Sequence, residues 1–193
     1  MRVPVQLLVA LMLSLPLHAG AQAPALRSGE FTPPRMAPDF TLSGSDGQAL
    51  RLSAFRGKVV ALGFGFTSCP EICPTTLFEL ASARKKLGDD ARDFQVVYVT
   101  VDPETDTVER LRAYMSGFDA AFLGATGSPD KLAAVRKAYG VAAGKVQGAG
   151  RAPTFNHSTF VYLIDRQGRL RAMSPYGRKV DDLVQDIRVL LRG

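Results

Sequence analysis

The sequence predicts an α/β, thioredoxin-like fold: a central mixed sheet flanked by helices, with an N-terminal β-hairpin extension. Three observations carry this expectation. Two nearly continuous apolar, β-rich runs, at 58–66 (KVVALGFGF) and 94–101 (FQVVYVTV), have the character of strands covered on both faces. Helical patterns alternate with these runs, and a hairpin and an amphipathic helix close the chain, an order that describes a sheet with helices on both faces. A pair of cysteines sits where the first run gives way to a helix, which narrows the α/β folds to the thioredoxin plan.

The elements follow in order. Residues 39–43 and 49–52 read as short strands around the turn Ser45-Asp46-Gly47. The run at 58–66 leads directly into Thr67-Ser68-Cys69-Pro70-Glu71-Ile72-Cys73-Pro74. A helix is expected over 74–87, with Pro74 suited to its first turn, Leu77, Leu80, Ala81 and Leu87 on the buried face, and Gly88 ending it. The second run ends at Asp102-Pro103. Asp106-Thr107 can cap a helix carrying Val108, Leu111, Met115 and Phe118 on one face. Ser128-Pro129 opens another, with Leu132, Val135 and Tyr139. Residues 141–158 are rich in Gly and Ala and read as a long loop. Segments 159–165 and 170–173 form a hairpin around Arg166-Gln167-Gly168, and 180–191 is the final helix.

Residues 1–21 have a different character. Arg2, the apolar run at 5–17 and small residues at 19, 21 and 23 make the pattern of a secretory signal peptide, cut after Ala21. The run is short for a membrane span, which needs about 20 apolar residues; left uncut, residues 3–17 could hold the protein at a membrane. Residues 22–38, rich in Pro, read as an extended tether, and 39–193 as the folded domain. The expected location is the periplasm or the outer face of the cytoplasmic membrane.

Charge adds a direction. Residues 22–144 carry equal numbers of basic and acidic side chains, whereas 145–193 carry nine basic and four acidic. That excess fits either an ordinary solvated surface or steering toward an acidic protein or anionic headgroups. No nucleic-acid motif accompanies it, so nucleic acid is not an expected partner.

The chemistry concentrates in few residues. In an oxidising compartment two cysteines usually pair, but C-P-E-I-C closes so small a loop that a disulfide would staple little. A chemical role is expected instead. Near a helix N-terminus both sulfurs are drawn toward thiolate, able to form a disulfide or share a soft metal ion. Of the two histidines, His18 lies in the export signal, which leaves His157. Cys69, Cys73 and His157 form a Cys2His set with an open position, which suits Cu(I) or Cu(II) and, less well, zinc.

The segments FTSCPEICPTTL (66–77), VDPETDTVERLRAY (101–114) and NHSTFVYLIDRQGRL (156–170) resemble the Sco/SenC family of copper proteins, over most of the chain from Asp39 onward. The resemblance implies a copper-binding metallochaperone that serves the CuA site of cytochrome c oxidase subunit II or another copper protein, and the count of strong ligands sets one copper per chain. A periplasmic copper donor would load it. Cys69, Cys73 and His157 match the family's copper ligands, and Asp102 an acidic residue near the copper. Asn156 departs from the family, which commonly has Asp there. The rival reading is an exported thiol–disulfide oxidoreductase using Cys69 and Cys73 as a redox pair. Such enzymes normally use C-x-x-C and have a proline where His157-Ser158 stand. A peroxiredoxin is disfavoured by Phe66, since that chemistry wants Thr three residues before the reactive Cys.

Overall fold

The computed structural model describes residues 25–146, 154–157 and 159–193, with side chains at all of these except 145–146 and 154–157. The expected signal peptide and most of the loop around 147–153 lie outside the described residues.

The sheet is built on two strands that are buried along their whole length. β4 (Val59–Gly65) and β5 (Phe94–Thr100) run parallel, in register from Val59 opposite Phe94 to Gly65 opposite Thr100. Helix α1 (Ile72–Leu87) connects them, as a parallel pair requires a crossover. β9 (Val161–Ile164) lies antiparallel on the other side of β4, with Val60 opposite Ile164 and Leu62 opposite Tyr162. The end of β4, the end of β5 and the start of β9 therefore gather at one end of the sheet.

β10 (Arg169–Ser174) returns beside β9 and extends the sheet in that direction. Beyond β5 come β6 (Leu123–Thr126) and then the hairpin of β2 (Thr41–Gly44) and β3 (Ala49–Arg51). Helices α2 (Val108–Ser116), α3 (Pro129–Tyr139) and α4 (Val180–Arg192) complete the layers, with α4 packed on α1 and α2 on β6. Thr107 and Ser128 cap α2 and α3 through their side-chain oxygens, and Gly140 ends α3 in the left-handed conformation at φ 68°.

Four features differ from the sequence expectation. Residues 29–36, expected within the tether, form strand β1 (Gly29–Met36), which pairs with β10 at the sheet edge. Nearly every residue of β1 is exposed, so no apolar alternation marks it. Pro33 and Pro34 fall at its register shift, where an edge strand tolerates them. The expected loop over 141–158 contains a second small sheet, β7 (Ala143–Val146) against β8 (Thr154–His157), in register from Ala143 opposite His157 to Val146 opposite Thr154. β6 is short and carries Gly124, where a Cβ would come within 2.9 Å of the Leu111 side chain; α2 sits too close for one. Finally, α1 begins at Ile72, two residues before Pro74, which puts Cys73 inside its first turn.

The start of β1 is tied down by one buried carboxylate. Asp186 of α4 is fully buried and accepts hydrogen bonds from the backbone N–H groups of Arg27 at 2.5 Å and Ser28 at 2.9 Å. Hydrogen bonds to a charged acceptor contribute about 1.5–3 kcal/mol each. Asp186→Ala is expected to lower stability by about 3 kcal/mol in urea unfolding, and to speed amide exchange in β1 while leaving β4 and β5 protected.

Candidate thiol and metal site

The site is built at the sheet end where β4, β5 and β9 meet. β4 stops at Gly65, whose carbonyl accepts the N–H of Val101 at 2.8 Å. The chain turns through Phe66, with the Cys69 N–H donating to the Phe66 carbonyl at 3.3 Å, and enters α1 at Ile72. Cys73 lies in the first helical turn, where backbone N–H groups have no partner within the helix. Its N–H donates instead to the Cys69 sulfur at 3.5 Å. Glu71, at the cap position, supplies no side-chain hydrogen bond, so the Cys69 sulfur takes the place of a capping oxygen. Both cysteines are present as thiols.

The two sulfurs are not equivalent. Cys73 is 2% exposed, while Cys69 is half-buried. Its contact with Cys69, and then burial, push the Cys73 thiol far above its ordinary value, against the opposing hydrogen bond from Tyr98. This corrects the expectation that the helix terminus draws both sulfurs toward thiolate. Cys73 keeps its proton and shares it with Cys69, and the more exposed Cys69 is the sulfur open to solvent.

Two strand glycines make room for this arrangement. A Cβ at Gly65 would collide with the Tyr98 hydroxyl and lie 2.7 Å from the Cys73 sulfur. A Cβ at Gly63 would lie 3.0 Å from the Tyr98 ring. The Tyr98 side chain, opposite Gly63 on β5, therefore lies across β4 and reaches Cys73.

A buried carboxylate fixes the loop between β4 and Cys69. Asp106 is fully buried and accepts from the Thr67 N–H at 3.0 Å, the Thr67 hydroxyl at 2.5 Å and the Thr100 hydroxyl at 2.6 Å. Arg110 donates to Thr67 Oγ1 at 2.6 Å and to Ser68 Oγ at 3.0 Å, and lies 3.8 Å from the Asp106 carboxylate. From the sequence, Asp106-Thr107 is expected to act only as a helix cap. Thr107 is the cap, and Asp106 instead reaches back to the loop that carries Cys69. The signal that could have found it is an acidic residue placed directly before a capping Thr that already satisfies the helix.

The other expected site residues stand as follows. Asp102, one residue beyond Val101 at the same sheet end, is buried; its carbonyl accepts the N–H groups of Thr105 and Asp106, and its N–H donates to Thr100 Oγ1. Those contacts make a strand-ending turn. His157 is the last residue of β8, and its side chain lies outside the described ones. The chain that follows it returns to the thiols: Thr159, Phe160 and Val161 line a narrow cleft with Cys73, Thr76 and Tyr98. Among the described side chains, no group of three His, Cys, Asp or Glu stands together. The Tyr114 hydroxyl, close enough to feel both sulfurs, is buried without a hydrogen-bond partner; burial first, then Cys73 and Cys69, raises its pKa.

Two outcomes follow. Asp106→Ala strands two threonine hydroxyl donors and is expected to cost about 3 kcal/mol or more in urea unfolding, with faster alkylation of Cys69 as its loop loosens. Removing a proton from Cys73 is harder in the folded than in the unfolded chain, so folding stability is fully present below the ordinary thiol value of 9.0 and falls as pH rises above it. Urea midpoints of the reduced, metal-free protein should decline from about pH 9, and Cys73→Ala should move that onset toward pH 10, where the buried Tyr98 takes over.

With this geometry in view, comparison with known proteins is specific. The SCO1/SenC family model matches residues 29–192. The SCO2-like protein of Rickettsia felis is 34% identical over 133 residues, covering 68% of this chain and 65% of that protein, so the match spans under two-thirds of the relative's length. A putative copper-binding protein of Stutzerimonas stutzeri is 34% identical over 153 residues, 77% of this chain and 74% of that one. Among solved structures, copper-bound ScoI of Arabidopsis thaliana superposes with TM-score 0.73 at 32% identity, covering 79% of this chain and 98% of that one. Apo Sco1 of Thermus thermophilus gives 0.78 at 35% identity, covering 89% and 99%. A match over almost every described residue, joined to a thioredoxin-like sheet with its cysteines at the strand-to-helix junction, makes this chain a member of the SCO1/SenC family.

Proposed function

We propose that the protein is an exported copper metallochaperone that carries copper to the CuA site of cytochrome c oxidase subunit II. The observation that carries this reading is the Cys69–Cys73 pair: two thiols in contact at a helix N-terminus, half-enclosed at the end of a rigid sheet. Copper is the cargo, and the residues present fit it. Sulfur donors are the ligands Cu(I) prefers. The unpartnered Tyr114 hydroxyl supplies a polar atom beside them. His157 is the proposed third ligand, on the strand whose continuation lines the cleft with Cys73. Asp102, buried at the same sheet end, is assigned a role beside the metal ligands or in partner contact. Among the described residues no helix is long and apolar enough to cross a membrane, so membrane association would rest on residues 3–17.

The inequality of the two sulfurs favours a second role for the same pair. Cys69, the more exposed, can attack a target disulfide as thiolate. Cys73, buried and protonated, can then give up its proton and resolve the mixed disulfide, leaving the target as a dithiol and Cys69–Cys73 as a disulfide. In this reading the protein prepares thiols in subunit II as well as filling them.

The basic excess supports an acidic partner less than its count implies. Arg169 and Arg171 lie 2.8 and 3.4 Å from Asp165, Arg166 lies 4.0 Å from Asp93, and Arg178 lies 3.9 Å from Asp182. These charges are partly committed within the fold.

The deciding experiment loads the reduced protein with copper and presents it to a metal-free oxidase subunit II domain, following both copper transfer and disulfide reduction there. One copper per chain is expected. Cys69→Ala with Cys73→Ala should abolish binding at full affinity, and copper retained at full affinity by that double variant would overturn the reading. His157→Ala should weaken Cu(II) more than Cu(I), since two thiolates hold Cu(I) without it; equilibrium competition with chelators for each oxidation state measures this.

A further inference from the structure

We propose that Tyr98 is a positioning residue that biases the Cys69–Cys73 pair toward its dithiol state, through a hydrogen bond from its hydroxyl to the Cys73 sulfur. The inference rests on the reading of these cysteines as the working pair. Tyr98 lies in the middle of β5, 2% exposed, among strand residues that are otherwise chiefly apolar. Its ring fills the groove left by Gly63 and Gly65, and a phenylalanine ring would fill the same groove. Packing therefore does not require the oxygen. A buried phenol needs a hydrogen-bond partner, and here that partner is the Cys73 sulfur. Gly65 is what permits the contact, because any side chain there would displace the hydroxyl from the sulfur.

The sulfur changes as an acceptor when the pair is oxidised. Two protons and two electrons leave the thiols as the sulfurs join; with glutathione disulfide as oxidant, its own S–S bond breaks and two glutathione thiols form. The thiol sulfur, polarised by sharing its proton with Cys69, accepts a hydrogen bond better than a disulfide sulfur. Oxidation also turns the Cys73 sulfur toward Cys69. The buried hydroxyl is then left under-satisfied, and that cost falls on the disulfide state alone. Tyr98 thus favours the form of the protein that can take up metal.

The test is equilibration of the metal-free protein with glutathione redox buffers, followed by acid quenching, alkylation and mass measurement of the dithiol fraction. Tyr98→Phe is expected to shift the equilibrium about tenfold toward the disulfide, which for this two-electron couple lowers the midpoint potential by about 30 mV. Tyr162→Phe is the control. It removes another buried hydroxyl, one that donates to the Tyr139 carbonyl at 2.8 Å, and should leave the equilibrium in place. A shift of less than about threefold in Tyr98→Phe, a shift toward the dithiol, or an equal shift in Tyr162→Phe overturns the proposal. A second readout uses the unsubstituted protein: the buried Tyr98 hydroxyl proton should change its NMR resonance on oxidation, and an unmoved resonance likewise overturns it. Neither readout involves copper, so failure of the copper-transfer reading and failure of this one are separable.

Discussion

The Asp106 carboxylate is the constraint on which the site depends. An ionised carboxylate with no solvent exposure is costly unless its oxygens are fully used. Here they are, by one backbone N–H and two hydroxyls, with a guanidinium at the rim. Those donors come from separate parts of the chain. Thr67 belongs to the loop after β4, Thr100 to the end of β5, and Arg110 to α2. One buried charge therefore fixes where β5 ends, how α2 enters and how the Cys69 loop leaves the sheet. Within the Cys69 loop itself, the Cys69 N–H donates to the Phe66 carbonyl and the Cys69 sulfur caps α1.

From that anchor the two sulfurs acquire different environments at a separation of only four residues. Cys73 is carried inward by the first turn of α1 and meets Tyr98, whereas Cys69 stays at the rim. A C-x-x-x-C spacing permits this because α1 begins between the cysteines, at Ile72, rather than after both. The helix terminus draws charge toward the pair, but burial and the contact between the sulfurs oppose it, and for Cys73 the opposition wins. The same enclosure that would shield a soft metal from competing ligands also makes the metal-free pair a shared-proton dithiol.

Most of this architecture could be read from residue patterns where burial leaves a signature. β4 and β5 are buried on both faces and read as nearly continuous apolar runs; α2 and α3 declare their starts through Thr107 and Ser128. Where burial is slight, the pattern fails. β1 is almost wholly exposed and contains two prolines, so its place in the sheet comes from ladder hydrogen bonds with β10 that no alternation announces. β7 and β8 are composed partly of small residues, and β6 depends on Gly124 lying under α2. At the site, the cysteines were legible because their type and spacing have few other uses. Asp106 was not, because next to Thr107 it has an ordinary capping explanation. Tyr98 was hidden as one more large residue in a buried strand.

The G-F-G sequence at Gly63–Gly65 is where that hidden relation could have been detected. Glycine weakens a strand, so two of them on one face of a strand buried along its whole length require a compensating close approach. The approach is the Tyr98 side chain crossing toward Cys73. Alternation puts Phe64 on the opposite face, where it packs edge-on with Tyr162 at 6.1 Å between centroids and against Tyr139 at 5.7 Å. The strand thus serves two ends at once: one face builds an aromatic core, and the other is stripped bare so that a neighbouring strand can reach a cysteine. That division explains why β4 tolerates glycine at its centre. What it loses in packing on one side is replaced by Tyr98, and the hydroxyl at the tip of that replacement is placed against the Cys73 thiol.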